Sequence, residues 1–185
     1  MLSRRQIFAG SLLLTLPSCA FLKTSAPDRI FALTPLPAAA KPGPHLVITV
    51  SEPTALQVLD TARIANRSSD LEFQYYTGAV WEDRVPTILQ HVLIESLRNQ
   101  LNADVTSDEI TSTGTPLTSE LDDFQIEPGN VIHITLVVHF GTATKSFESH
   151  QTAASDKMTD LVAAFDQATH DILTSIVTWI AGQGA

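Results

Sequence analysis

The stretch Val131 to Phe140 constrains this chain more than any other. Ile132, Ile134, Leu136, Val138 and Phe140 fall on one side of an extended backbone, with His133, Thr135 and His139 on the other. Side chains alternate across a strand with a period of two, so the pattern describes a strand with one face in a core and one toward solvent. Such a strand needs neighbours along its edges and a cover over its apolar face. Pro128-Gly129-Asn130 just before it has turn chemistry. Thr144 to Ala153 just after it, with Phe147 among polar residues, reads as its hairpin partner.

Two amphipathic helices supply the cover. Val85, Ile88, Leu89, Val92, Leu93 and Leu97 recur at helical spacing, Leu101 extends the stripe, and Pro86 suits a first turn, where its missing N–H is not needed. Ser155 or Asp156 stands where it can cap a longer final helix, striped by Leu161, Val162, Phe165, Ile172, Leu173, Ile176, Val177 and Ile180, with Gly182 as its stop. Asp160, Asp166 and Asp171 lie off that stripe, so the helix is expected to lie on a sheet and not to cross a membrane. Further strands are expected at Arg29–Leu33, Leu46–Val50, Ala62–Arg67 and Leu71–Tyr76, the last two around a turn at Arg67–Asp70. Leu117–Ile126 alternates imperfectly, with Leu117, Ser119 and Leu121 set against Asp123 and Gln125. The four prolines of Pro35–Pro44 predict a stiff loop, Asp104–Pro116 reads as polar loop, and Leu56–Asp60 has no assignment. The expected fold class is α/β of the α+β kind: a single domain with a mixed β-sheet covered by two amphipathic helices. A length of 185 residues suits one such domain.

The N-terminus reads as an export signal. Met1–Gln6 carries Arg4 and Arg5 and no acid; Ile7–Leu16 is apolar, too short for the roughly 20 residues that span a bilayer. The run ends in Leu16-Pro17-Ser18-Cys19, which resembles a bacterial lipobox, with Pro17 a departure from it. Small side chains let the peptidase close on the backbone, and the thiol of Cys19 would carry the lipid. The competing reading is an ordinary signal peptide whose cysteine lies near the cut. Residues 1–18 are therefore expected to be a lipoprotein signal peptide, 19–28 a lipidated tether, and 29–185 the working domain. Several acyl chains, palmitate among them, hold a protein at a membrane where one alone holds it marginally. Ala20 is not the aspartate that resembles an inner-membrane retention signal, which favours the outer membrane, facing the periplasm. Ser3–Phe8 also resembles a twin-arginine motif, and the choice between export routes stays open.

Charge and chemistry narrow the function. With 11 Lys plus Arg against 20 Asp plus Glu, the chain has few cations to replace those around phosphate, so nucleic acid is not an expected partner. Loss of Arg4 and Arg5 leaves 9 − 20 = −11 on the mature chain. A single cysteine excludes an internal disulfide and thiol-based metal clusters. His133 and His139 lie six residues apart on one strand face, about 20 Å, too far to share a metal. His91 and His170 are on helices, and His45 and His150 read as isolated. Glu82-Asp83 and Asp122-Asp123 are sequence neighbours that point apart, and the first pair suits a helix N-terminus. No phosphate loop, GxSxG or HExxH spacing occurs. The reading is a non-enzyme with no cofactor and no metal.

The order of features resembles the ABC-type transport auxiliary lipoproteins, the PqiC-like family. The resemblance rests on Phe31-Ala32-Leu33-Thr34-Pro35 after the cysteine, Leu46–Val50 before Glu52-Pro53, and Leu59–Ala65. It continues through Tyr75-Tyr76 with Ala79–Pro86 leading into the first helix, and Ala163–Ala168 with Trp179 in the last. The short acidic stretch Thr118–Pro128 departs from the pattern. The resemblance implies an accessory of a transporter made of an MCE-type substrate-binding subunit and an ABC permease/ATPase complex, serving lipid traffic between inner and outer membranes. A homo-oligomer is compatible with it. A second reading is a periplasmic carrier of lipid or small ligand. Tyr76 and Trp81 are the structural or docking candidates: Trp81 is either a core anchor or an exposed docking residue.

Overall fold

The computed structural model describes residues 29–41, 43–107 and 113–183. Nine strands and two helices run in the order β1 (Arg29–Phe31), β2 (Leu46–Val50), β3 (Thr54–Ala55), β4 (Arg63–Ser69), β5 (Glu72–Trp81), α1 (Val85–Gln100), β6 (Ala103–Thr106), β7 (Thr115–Glu127), β8 (Val131–Phe140), β9 (Ala143–Thr152) and α2 (Met158–Gln183). All strands belong to one mixed sheet, and the α+β architecture expected from the sequence is the one observed. β7 is its spine. One edge of β7 pairs antiparallel with β8, and the other is divided among β2, β3 and β4, all parallel to it. β4 and β5 form an antiparallel hairpin, β1 adds parallel to β5, β6 adds parallel to β2, and β8 pairs with β9.

The alternation of β8 has the physical basis read from it: its even positions are buried and its odd positions half-buried. α1 and α2 lie on the buried face and touch each other, α2 packing on β8 and β9 and α1 on β6. At 26 residues, α2 is about 39 Å long and runs through Gly182 to Gln183. Its buried side is Leu161, Ala164, Phe165, Ala168, Thr169, Ile172, Leu173, Ile176 and Ile180, while Val162 and Val177 are only partly covered. No helix among the described residues is long and apolar enough to cross a membrane.

Three expectations need correction. The polar segment 104–116 is not all loop: Ala103–Thr106 forms β6 against β2, and β7 starts at Thr115. The strand expected at Leu71–Tyr76 runs on to Trp81, so Ala79–Trp81 closes a strand that pairs with β1. The first strand ends at Phe31, after which the chain runs as a strap over both helices. Along that strap the N–H and Oγ1 of Thr34 donate to Asp166 Oδ1 at 2.8 and 3.0 Å. The Leu36 N–H donates to the buried Ser96 Oγ (2.9 Å), and Asn99 Nδ2 donates to the Leu36 carbonyl (2.8 Å). Leu33 and Leu36 enter the core from the strap. Pro35 and Pro37 need no ladder hydrogen bonds there, which is why a proline-rich segment can serve.

Candidate functional site

A bulge in β7 decides what lines the open face of the sheet. Before it Leu117, Ser119 and Leu121 are buried; the register against β8 then skips Asp122, and Phe124 and Ile126 take the core positions. One extra residue inverts the alternation, so Asp123, Gln125 and Glu127 share the opposite face. On β8 that face carries His133 and Thr135, and on β9 Glu148 and His150. In register, His133 stands between Gln125 and His150. The sequence reading of His150 as isolated is therefore corrected: its ring stacks on His133 with centroids 4.1 Å apart and planes 20° from parallel.

Carboxylates surround the pair. His133 Nδ1 lies 2.9 Å from Glu127 Oε1, and its Nε2 lies 3.0 Å from Glu148 Oε1, 3.1 Å from Thr135 Oγ1 and 4.0 Å from Asp123 Oδ2. His150 Nε2 is 3.7 Å from Glu148 Oε1. Arg67 of β4 closes the cluster, its Nη1 3.7 Å from Asp123 Oδ1. Beneath them Gln125 is fully buried; its Nε2 donates to Asp123 Oδ1 (3.0 Å) and Glu127 Oε1 (3.4 Å), while its Oε1 has no partner among the described residues. The His133 side chain is 15% exposed, against 49% for His150 and 57% for Glu148. Burial alone would push His133 down. The hydrogen bond to Glu127, the charges of Asp123 and Glu127 and the bond to Glu148 outweigh it, so His133 titrates above its ordinary value. Burial likewise pushes Glu127 up, but the hydrogen bonds from His133 and Gln125 and the charges of both histidines hold it below the usual carboxylate range.

Thr135, His133 and Glu127 stand in the hydroxyl–imidazole–carboxylate order that nucleophilic catalysis uses. Glu148 and Asp123 on the same side of the ring would repel the oxyanion such chemistry develops. The donor set instead suits a proton or a cation.

The other residues singled out by sequence lie elsewhere. Cys19 is outside the described residues. Trp81 is 2% exposed, edge-on to Phe124 (5.7 Å) and Phe165 (5.2 Å), and its indole Nε1 has no partner among the described residues. Tyr76 is partly buried against the core. Tyr75, beside it, donates its hydroxyl to the Val58 carbonyl at 3.0 Å. His139 contacts Thr144 Oγ1 at 2.8 Å, His170 contacts Thr34 on the strap, and His45 faces Asp104 at 3.3 Å. Glu82 and Asp83 line a shallow depression with His91 at the start of α1.

Among the described residues, fold and surface together define a two-layer α+β module whose helical side is closed by its own core and whose sheet side is open around the His133 cluster. The chain belongs to the ABC-type transport auxiliary lipoprotein component family, whose model matches residues 31–177. Among solved structures it is similar to a Xanthomonas campestris protein assigned to DUF330, with 23% identity over 84% of this chain and 97% of that one and a TM-score of 0.74. A second, described as an uncharacterized protein, is 14% identical, covers 84% of this chain and 99% of its own, and gives a TM-score of 0.70. At these identities the likeness is one of fold. No curated protein matches the sequence.

Proposed function

We propose that this protein is a periplasm-facing lipoprotein that serves an MCE/ABC-type transporter as a non-catalytic accessory, in lipid traffic between the inner and outer membranes. In this reading residues 1–18 are removed, Cys19 is acylated, 19–28 form a tether at the outer membrane, and 29–185 dock on the transporter's periplasmic subunit, whose ATPase supplies the energy. The observation that carries it is membership of the auxiliary lipoprotein family across residues 31–177. Docking is favoured over carrying by the core itself. The apolar cavity between Leu89 and Leu93 of α1, Ile134 and Leu136 of β8, and Ile172 and Leu173 of α2 measures about 10 Å³. Ligand pockets run to about 300–1,000 Å³.

Two experiments test the reading. Affinity capture from crosslinked envelopes is expected to recover an MCE subunit and its permease; repeated recovery of neither would refute the partnership. Cys19→Ser is expected to move the protein from the membrane to the soluble fraction, and an unchanged distribution would refute the anchor.

A further inference from the structure

We propose that Glu127, His133 and His150 form a binding site for a divalent transition-metal ion of the zinc class on the open face of the sheet. The site goes beyond the accessory role and stands independently of it.

The three residues come from three adjacent strands, and each offers a ligand atom within 4.8 Å of the other two. Zinc takes imidazole nitrogen and carboxylate oxygen at about 2.0–2.2 Å, which sets neighbouring donors about 3.4 Å apart in a tetrahedron. Glu127 Oε1 and His133 Nδ1, 2.9 Å apart, are already near that spacing. His150 sits directly across from His133 in an unbroken antiparallel ladder, and its half-exposed ring has room to turn its nitrogen toward the other two. The backbone thus fixes where the ligands stand, and only one side chain must adjust.

The surroundings fit the same group. A ligating histidine commonly donates its second ring nitrogen to a carboxylate, which fixes tautomer and orientation. With Nδ1 on the metal, His133 Nε2–H faces Glu148 Oε1 at 3.0 Å. The buried Gln125 amide holds Glu127 Oε1, supporting the carboxylate ligand from below. Among the described residues, Asp123, Glu127 and Glu148 face one permanent cation, Arg67, so the cluster has negative charge that a dication offsets. Beside the cluster, a depression of about 190 Å³ is lined by Glu127 with Arg67, Ser69, Asp70 and Pro128. Two imidazoles with one carboxylate select zinc, nickel or copper over magnesium and calcium, which prefer oxygen throughout.

The test is calorimetric titration of the full chain, purified in detergent without a polyhistidine tag, with zinc chloride and separately with magnesium chloride near neutral pH. One zinc per chain is expected, with no magnesium binding. His150→Ala and Glu127→Gln should each weaken zinc by at least about tenfold, and His139→Ala should leave it unchanged. His150 is half exposed and Glu127→Gln preserves shape, so both variants should keep the wild-type circular dichroism spectrum. Failure of the wild type to bind zinc, equal binding of magnesium, or zinc binding indifferent to His150→Ala and Glu127→Gln would each overturn the site.

Discussion

Trp81 offers the sharpest energetic test, because two opposing effects meet in one side chain. The ring fills the centre of the core at 2% exposure, wedged edge-on between Phe124 and Phe165, whose own centroids are 4.8 Å apart. Truncation to alanine empties that space and removes both ring contacts, so Trp81→Ala should cost about 4–5 kcal/mol. That is a large part of the roughly 5–15 kcal/mol that holds a domain folded. The indole Nε1, however, is buried with no partner among the described residues. An unsatisfied buried donor costs about 1–3 kcal/mol. Trp81→Phe removes that donor while keeping an aromatic ring, and loses about 2 kcal/mol of packing from the missing pyrrole atoms. The two terms nearly cancel, so Trp81→Phe should lie within about 1 kcal/mol of wild type. Urea unfolding followed by far-ultraviolet circular dichroism measures both variants, with Trp179 retained in each. A Trp81→Phe loss of about 2 kcal/mol, the full packing term, would show that the orphan donor carries no penalty. A Trp81→Ala variant as stable as wild type but unable to bind its partner would place Trp81 at a docking surface and refute the core reading.

Two further predictions concern the open face and the strap. His133 titrates above its unfolded value, so its contribution is fully present below that value and lost as pH rises through the folded pKa. Glu127 titrates below its unfolded value, so its contribution is present above that value and lost as pH falls through the folded pKa. With chelator present, the Tm should peak between the carboxylate and histidine ranges, under the combined field of Asp123, Glu127, Glu148, His150 and Arg67. His133→Gln should flatten the alkaline limb; an identical profile would remove His133 from the balance. Asp166→Ala removes the acceptor that holds the Thr34 N–H and hydroxyl, at a cost of about 1–2 kcal/mol. Hydrogen exchange should then quicken over residues 31–36 and not in β8, and a uniform change across the domain would contradict a local latch.

How much of this was legible in sequence depended on whether one strand carried its own pattern. β8 and both helices bury one face each, so periodicity placed them within a residue or two. β6 gave no such sign: four partly polar residues become a strand only because β2, far back in the chain, offers them a parallel edge. The imperfect alternation of 117–126 was the trace of the bulge at Asp122, visible but unreadable without the partner strand. The contact between His133 and His150 was within reach. Once Phe140 pairs with Ala143 across the turn, antiparallel counting sets 133 opposite 150. Asp123 and Glu127 were not within reach, because their face follows from the skipped residue.

That skipped residue links the two faces of the sheet. Without the bulge at Asp122, a strictly alternating β7 that buried Leu117 and Leu121 would send Phe124 and Ile126 to solvent and drive Asp123 inward. With it, the first half of β7 and the second both feed apolar side chains to the helices, while Asp123, Gln125 and Glu127 gather beside His133. Among the described residues, the helices turn most of their apolar side chains to the core, and Asp166 and Ser96 hold the strap down. The polar face of the sheet, where the His133 cluster lies, is thus set apart from the apolar core by the bulge at Asp122.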